Sequence, residues 1–298
     1  MEDEISSAGV TPIVRTLLHY GLQPTLLIGS VWLVVAQGDA EAAYPIAFVG
    51  LIVLLCGLEA WIPARCEWRQ SAREFLTNLG IVMLFAAIAG MVVFAYRADL
   101  GPALDAYRAR HGLDVWPHHW PLAVQIPLAF FLSEFGWYWL HRAEHRFKWV
   151  WRATGHGAHH SFQHLGAIHF GANHPFEMGV LLLPMALVEL LLGAGPAATG
   201  GSVLLLANTG IAHSNLDLNT RGIGCLFTTN RYHQHHHSRV LEESNSNYGC
   251  AVILWDRLFG TFSDAPTLAT GIGNTEPSLI RKALLPFREP PDTAVAPS

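Results

Sequence analysis

The sequence predicts an all-α integral membrane protein, a bundle of apolar helices with a histidine-rich helical cap at one end. Three features of the composition point to this fold class. Hydrophobic residues make up 51% of the 298 positions, and the mean hydropathy is +0.28. Charged residues make up only 14%, against roughly 25% in soluble domains. Most of the 17 histidines lie between His141 and His237, which predicts a specialised histidine-rich region.

Six apolar segments predict membrane-spanning helices, because a span takes about 20 predominantly apolar residues. The last two are separated only by a Gly-Ala-Gly-Pro turn, which predicts a helical hairpin. A further apolar stretch, Cys250–Trp255, is too short to span. The six predicted spans are Leu17–Val35, Tyr44–Ile62, Leu79–Tyr96, Leu122–His141, Phe176–Leu192 and Ala198–Ala212.

We predict one membrane domain over residues 1–263, with the histidine-containing part over about 122–263. After Asp264 the chain is rich in Pro, Thr, Gly and Ala, so we expect residues 264–298 to form a loosely ordered tail. Arginines and lysines follow the second, fourth and sixth spans, whereas the loop Gln37–Ala43 has none. The excess of basic residues on cytoplasmic loops then predicts that the histidines face the cytoplasm, most simply of a bacterial inner membrane.

Three histidine clusters carry the chemical signal, with the spacings H-x3-H, H-x2-H-H and H-x2-H-H. Positions i, i+3 and i+4 share one face of a helix, so we expect each cluster to present its imidazoles to one point. Imidazole suits iron, zinc, copper and nickel, and eight such ligands suit two ions held side by side. His235 lies off the shared face and is expected outside the ligand set. The eight are His141, His145, His156, His159, His160, His233, His236 and His237.

Other residues near these clusters are candidates for supporting roles. His213 follows the sixth span and is the candidate ninth ligand, and Asp217, four residues later, is a candidate ligand or hydrogen-bond partner. Glu134 and Glu177 could accept hydrogen bonds from metal-bound imidazoles, which usually donate their second N–H to a carboxylate or carbonyl. His174 is left open between a ligand and an orienting residue, and the loop residues His164 and His169 are expected to line the entrance.

The sequence also argues against several functional classes. The net charge of −5 is spread along the chain without a basic stripe, so nucleic acid is not an expected partner. The four cysteines form no C-x-x-C pair, and no haem, flavin or iron–sulfur motif is present. Two alternatives to an oxygenase remain at this stage. One is a zinc-dependent membrane hydrolase that uses the same histidines, and the other is a metal transporter.

Around the clusters the sequence resembles the fatty acid hydroxylase / sterol desaturase superfamily. The resemblance is strong from about Glu134 to Phe262. Two positions depart from the usual pattern: Ala172 stands where relatives often have arginine, and Glu134 where many have aspartate. The matching motifs are Trp137-Tyr-Trp-Leu-His-Arg142, Trp151-Arg152, His159-His-Ser161, His174-Pro-Phe-Glu177, Arg231-Tyr-His233, Asn247-Tyr-Gly249 and Trp255-Asp-Arg-Leu-Phe-Gly-Thr261.

This resemblance implies an integral membrane oxygenase with two iron ions. Such an enzyme uses O2 and two electrons to hydroxylate or desaturate a C–H bond of a lipid, whether sterol-like, fatty acyl or alkyl. The H-x3-H first cluster is closer to the sterol-oxidising and alkylglycerol-cleaving branches than to the carotenoid or fatty acid 2-hydroxylase branches. Since the chain has no redox cofactor motif, the electrons are expected from a separate donor protein at the cytoplasmic face.

Overall fold

The computed structural model describes residues 11–288, and this part of the chain is all-α. Its β structure is one isolated antiparallel bridge between Ser238 and Thr270. Short 3-10 helices cover Cys66–Trp68, His156–Ser161, Ala167–Gly171, Pro175–Glu177 and Ile223–Cys225. The α-helices are α1 Pro12–Gln37, α2 Ala40–Trp61, α3 Ala72–Ala95, α4 Gly101–His111, α5 Leu122–Arg146, α6 Lys148–Thr154, α7 Met178–Leu190, α8 Pro196–His213, α9 Asn230–His236, α10 Leu241–Ser244, α11 Leu254–Phe259 and α12 Leu279–Leu284.

Three helices of the described part are long and apolar enough to cross a membrane. These are α1, α2 and a 40-residue helix over Ala72–His111, in which a π-helical turn joins α3 to α4. Local sequence fixes their ends: Thr11 caps α1, Asp39 caps α2, and Ser71 with Glu74 forms a capping box at α3. In α3 only Val82 is buried, so this helix presents apolar side chains outward on nearly every side, as a lipid-facing helix does.

The fourth, fifth and sixth predicted spans also form helices, but none of these helices has both the length and the mean hydropathy that mark α1, α2 and Ala72–His111 as membrane spans. Helix α7 has 13 residues and is about 20 Å long, whereas the hydrocarbon core is about 30 Å thick. Helix α7 is thus shorter than a typical span, but it leads from the histidine end of the bundle to the end that holds Trp116, so the crossing of the bilayer by Phe176–Leu192 stays a prediction. Helices α5 and α8 carry buried polar side chains, among them Glu134 and Asn208, which lower their hydropathy and face other parts of the protein.

Helix α8 is the central element of the bundle and packs against α1, α2, α5, α7 and α9. Its glycines allow the close approach to α5, since a Cβ on Gly201 would lie 3.1 Å from the backbone nitrogen of Phe130. A Cβ on Gly200 would lie 2.6 Å from Ile126. Because α5 and α8 run in the same direction, their carboxyl-terminal ends, which carry the first histidine cluster and His213, meet at one end of the bundle.

The first part of the expected tail, residues 264–288, packs against the cap. Two backbone hydrogen bonds join this segment to the end of the last histidine cluster: the N–H of Arg239 donates to the carbonyl of Ala269, and the N–H of Gly271 donates to the carbonyl of His237. The ammonium of Lys282 lies 3.4 Å from the ring centroid of Phe162 and pairs with Glu276. Backbone hydrogen bonds, which composition does not reveal, thus attach this part of the predicted tail to the cap. Residues 1–10 and 289–298, the two ends of the predicted domain and tail, lie outside the described residues.

Candidate metal centre

All nine predicted metal ligands lie together at one end of the bundle, and all nine are buried. They form two groups, in each of which one possible ligand atom per residue lies within 4.8 Å of the others. The structure thus brings together every histidine singled out by the spacing, including His213. The first group is His141, His145, His156, His160 and His236, and the second is His159, His213, His233 and His237.

His141 and His145 of the first cluster point to one site, as expected, but the second and third clusters are each divided between the two groups. His156 and His160 belong to the first group, but His159 between them belongs to the second. This second cluster forms a 3-10 helix and not an α-helix, so the expected common face does not exist. On α9, His236 turns to the first group while His233 and His237, four residues apart, share the second. Spacing along the sequence predicts which residues share a helix face. It does not predict which of two adjacent groups each histidine joins.

Backbone carbonyls fix the orientation of several of these imidazoles. A carbonyl oxygen only accepts, so a ring nitrogen that contacts one must donate its N–H. A neutral imidazole has one N–H, and its other nitrogen, Nε2, then carries a bare lone pair. The Nδ1 contacts are His141 to Tyr248 at 2.6 Å, His236 to Ser246 at 2.7 Å, His213 to Thr209 at 2.8 Å and His159 to Ala172 at 3.4 Å.

The bare Nε2 atoms face one another at short distances. Nε2 of His141 lies 3.0 Å from Nε2 of His236, and Nε2 of His213 lies 3.2 Å from Nε2 of His159. Two lone pairs at such distances repel unless a cation lies between them. Nitrogens that bind one ion at about 2.1 Å and at a right angle are about 3.0 Å apart, which matches these spacings. The donor set therefore fits metal ions.

Burial keeps these imidazoles neutral, as metal ligands must be. It lowers the pKa of His159 to about 4. Burial is also the main cause that holds the pKa values of His156, His160 and His233 well below the ordinary 6.5, and neighbouring histidines lower them further. At neutral pH the groups thus present uncharged nitrogen donors and do not repel a cation.

Two buried carboxylates contact the first group from behind. Nδ1 of His156 donates to Oε1 of Glu177 at 2.8 Å and lies 3.6 Å from Oε2 of Glu144. Burial raises the pKa of both carboxyl groups, and the charge of Glu144 raises that of Glu177 further. The structure thus places Glu177 where the sequence analysis expected it, as the partner of a histidine, and adds Glu144 beside it.

The other two acidic candidates do not contact the nine clustered histidines. Glu134 accepts the backbone N–H of Ala251 at 3.0 Å, so it holds the loop that supplies the carbonyl partner of His141. The side chain of Asp217 is 85% exposed and lies 3.3 Å from Nδ1 of His19. Helix α8 ends at His213, and Ser214 is extended, so Asp217 is not one helical turn away on the same face.

The remaining histidines of this region lie outside both groups. His174 accepts the N–H of Phe176 at 3.2 Å, and its ring fills the space that a Cβ on Gly155 would occupy. Gly155, with φ of 74°, therefore has two reasons to lack a side chain. His235 contacts Oγ1 of Thr267 at 3.1 Å. His164 is exposed, whereas His169 is buried and accepts the N–H of Gly166 at 2.9 Å.

Asp256 supports the site and was not singled out from the sequence. It accepts the backbone N–H groups of Tyr248 and Gly249 at 2.8 and 2.7 Å and the hydroxyl of Thr261 at 2.6 Å. These bonds hold the turn that aims the Tyr248 carbonyl at His141. The signal was an aspartate in an otherwise apolar segment, within the Trp255–Thr261 motif.

Asn208 and Asn247 stabilise the same part of the cap. Asn208 of α8 donates to the carbonyls of Thr228 and Ala251 at 3.1 and 2.8 Å, so it joins the bundle to the loops around α9. Asn247 adopts a positive φ of 53° and donates to the carbonyls of Tyr232 and Ser263. An asparagine inside an apolar helix and an Asn-Tyr-Gly motif are the signals by which sequence analysis could have found them.

Comparisons with known proteins agree with this geometry. The family model described as "Fatty acid hydroxylase" matches residues 126–261. An ornithine lipid hydroxylase, OlsE, of Rhizobium tropici is 30% identical over 250 residues, which cover 78% of this chain and 71% of that protein. An alkylglycerol monooxygenase of Danio rerio is 30% identical over 48% of this chain and 32% of its own length. The very-long-chain aldehyde decarbonylase GL1-8 of Oryza sativa subsp. indica is 35% identical over 49% of this chain and 55% of its own.

No solved structure matches the chain. The matched residues 126–261 contain all nine clustered histidines and both carboxylates that contact His156. The relative from Rhizobium tropici is similar over most of its own length as well as most of this chain. The chain belongs to the fatty acid hydroxylase superfamily.

Proposed function

We propose that this protein is a membrane oxygenase that hydroxylates or desaturates a C–H bond of a lipid at a pair of iron ions. One observation carries the proposal: nine buried imidazoles form two adjacent groups whose bare Nε2 atoms converge. Its relatives include an ornithine lipid hydroxylase and an alkylglycerol monooxygenase, which supports a lipid substrate and an oxidative reaction. The three apolar helices support a substrate taken from the bilayer.

The five histidines of the first group would hold one ion, and the four of the second group the other. Bound there, the iron pair would supply the activation of O2, with two electrons from a separate donor protein at the cytoplasmic face. The protein itself contributes orientation: carbonyls of Tyr248, Ser246 and Thr209 hold three of the rings by their Nδ1–H groups. Glu177 holds His156 in the same way and places a carboxylate behind a neutral ligand.

The geometry favours iron over the zinc of a hydrolase. Zinc sites in proteins are almost always tetrahedral, and catalytic ones keep one position open for water. Two tetrahedral ligands at 2.1 Å would lie about 3.4 Å apart, further than the 3.0 Å between Nε2 of His141 and Nε2 of His156. Five imidazoles in the first group also exceed the tetrahedral number. A site with more than four ligands suits iron.

Elemental analysis of protein purified without chelators tests this proposal. We expect about two iron ions per chain after expression with sufficient iron. His141→Ala should lower the content by disrupting the first group, and His213→Ala by disrupting the second. His174→Ala, a buried histidine outside both groups, is the matched control and should retain both ions. One ion per chain, or zinc in place of iron after iron-replete expression, would defeat the di-iron proposal.

The reaction itself is tested by comparing lipids from cells with and without the protein. Mass spectrometry should find a lipid that gains one oxygen atom or loses two hydrogen atoms only when the active protein is present. The His141→Ala variant serves as the inactive control. If the lipids do not differ while the iron content is about two, the metal centre stands but the lipid substrate does not.

A further inference from the structure

A cavity of about 740 Å³ opens where α1 begins and α2 ends, at the same end of the bundle as the histidines. This volume lies within the range of roughly 300–1,000 Å³ that is typical of ligand sites. Its lining includes one carboxylate, that of Asp217, which His19 contacts at 3.3 Å. The other charged side chains of the lining are four arginines, Arg15, Arg65, Arg221 and Arg231.

Two of the four arginines donate hydrogen bonds to backbone carbonyls of the protein, and the other two differ from them. Arg65 donates to the carbonyl of Thr267 at 3.1 Å, and Arg231 donates to that of Asp264 at 2.8 Å. For the guanidinium groups of Arg15 and Arg221, the described part of the chain provides no hydrogen-bond or ion-pair partner. Two guanidinium groups at one cavity, each with five donors in a planar fork, match an acidic group with several oxygens.

The opposite wall of the cavity is apolar and belongs to the membrane helices. Leu18 and Leu22 of α1 and Leu58 of α2 line it. On the outward side of the same part of α1, Ile13 and Leu17 are 72% and 66% exposed, so these turns face the bilayer. A free anion would gain no binding energy from an apolar wall, which argues against a free anion as the occupant. A protein surface would not fill a concave site of this size, which argues against a protein partner. A lipid supplies both the acidic group and the apolar chain.

The cavity also adjoins the second histidine group. Asn230 and Gln234 of α9 line it, and Asn230 lies three residues before His233, about 4.5 Å along the helix axis. Asn230 donates to the carbonyls of Ser214 and Leu216, in the segment that follows His213. The cavity and the second histidine group therefore border the same short helix, α9.

We propose that this cavity binds the acidic headgroup, a phosphate or a carboxylate, of a lipid in the bilayer. The inference rests on the proposed function and deepens it, because it names lipids with an acidic headgroup as the substrate class. The headgroup contacts Arg15 and Arg221, and the first part of the acyl or alkyl chain lies along the α1–α2 wall. The binding step itself needs neither iron nor O2.

Binding is tested with purified full-length protein in nanodiscs of phosphatidylcholine. The probes are a short-chain phosphatidic acid and a short-chain N-acyl amino acid, and the comparison ligands are a short-chain phosphatidylcholine and inorganic phosphate. We expect the wild type to bind both acidic lipids more tightly than either comparison ligand. The double variant Arg15→Gln/Arg221→Gln should weaken this binding by about tenfold or more, because it removes two charge-assisted contacts.

Two further variants keep the test decisive. Arg110→Gln removes an exposed positive charge from α4, at the far end of the bundle, and should leave binding unchanged. Asp217→Asn removes the carboxylate from the cavity wall and should tighten the binding of acidic lipids, so the proposal remains testable if the double arginine variant does not fold. Unchanged acidic-lipid binding in the double arginine variant or in Asp217→Asn would overturn the proposal.

Two other results would also overturn the lipid-headgroup proposal, and each can be recognised by its own measurement. Inorganic phosphate binding as tightly as the lipids would make this a site for a free anion. If the arginine variants raise only the KM for the reduced donor protein and leave lipid binding intact, the cavity is a docking site for the donor. Binding is measured on iron-free and iron-loaded protein in parallel, and equal affinities are expected. If the iron analysis fails, the lipid-binding result still stands. If lipid binding fails, the iron result still stands.

Discussion

At the scale of single residues, the candidate metal centre depends on what each imidazole does with its second nitrogen. The carbonyls of Tyr248 and Ser246 bind the Nδ1–H groups of His141 and His236, and this leaves Nε2 free for a metal. These partners are backbone atoms, which have no signature in a sequence. The histidines themselves could be predicted from their spacing, but the groups that orient them could not, except for Glu177.

Adjacent histidines of the last cluster should differ sharply in their effects. We predict that His236→Ala loses iron and activity, since His236 belongs to the first group and its Nε2 lies 3.0 Å from that of His141. His235→Ala should keep most of both, because His235 contacts Thr267 and belongs to neither group. Iron content and turnover, measured on both variants at equal folded yield, check this. Iron loss in His235→Ala with retention in His236→Ala would reverse the assignment of the two side chains.

The carboxylate behind His156 is expected to act by positioning that ring. We predict that Glu177→Ala weakens iron binding about 10- to 100-fold, the range for partners of metal ligands, because Nδ1–H of His156 loses its acceptor. Glu177→Gln keeps an acceptor oxygen and should restore most of the affinity. Competition with a calibrated iron chelator measures both. Equal losses in the two variants would show that the negative charge, and not the position of the ring, is what matters.

At the scale of elements, the sequence predicts helices well where one physical rule dominates. The predicted spans Leu17–Val35 and Tyr44–Ile62 lie within or beside α1 and α2, because long apolar runs between capping residues can only be helices in a membrane. The failures occur where several rules compete. Helix α7 is shorter than the apolar run Phe176–Leu192 that predicts it, and the cluster His156–Ser161 forms a 3-10 helix, whose geometry cannot be read from spacing alone.

The contact between α5 and α8 should be sensitive to the size of the side chain at Gly201. We predict that Gly201→Val destabilises the protein by about 1–3 kcal/mol, because a Cβ there would lie 3.1 Å from the backbone nitrogen of Phe130 and a helix cannot move one backbone atom alone. Gly90→Val is the matched control, since nothing lies within 4 Å of a Cβ at that position of α3. Thermal inactivation of both variants in the same detergent makes the comparison. Similar midpoints would mean that the α5–α8 contact tolerates the larger side chain.

At the scale of the whole molecule, the arrangement of α5, α8 and the cap predicts a protein with one chemically distinct end. We predict that this end faces the cytoplasm, because arginines and lysines are concentrated there, and that the loop after α4 faces the other side. In a background without the exposed Cys66 and Cys225, single cysteines at His164 and Leu113 should be labelled from opposite sides of the membrane. Labelling of both positions from the same side would refute this topology.

The assembly of each histidine group from distant parts of the chain has a consequence for the order of events during synthesis. Five of the nine histidines, His141 to His160, leave the ribosome early, whereas His213 to His237 follow only after α7 and α8 have been made. The first group is complete only when His236 has been made and the second only when His237 has been made, and α1, α2 and α3 have by then had time to enter the membrane. Metal ions can therefore bind both groups only at a late stage of synthesis, after the membrane helices that precede the histidines have been made.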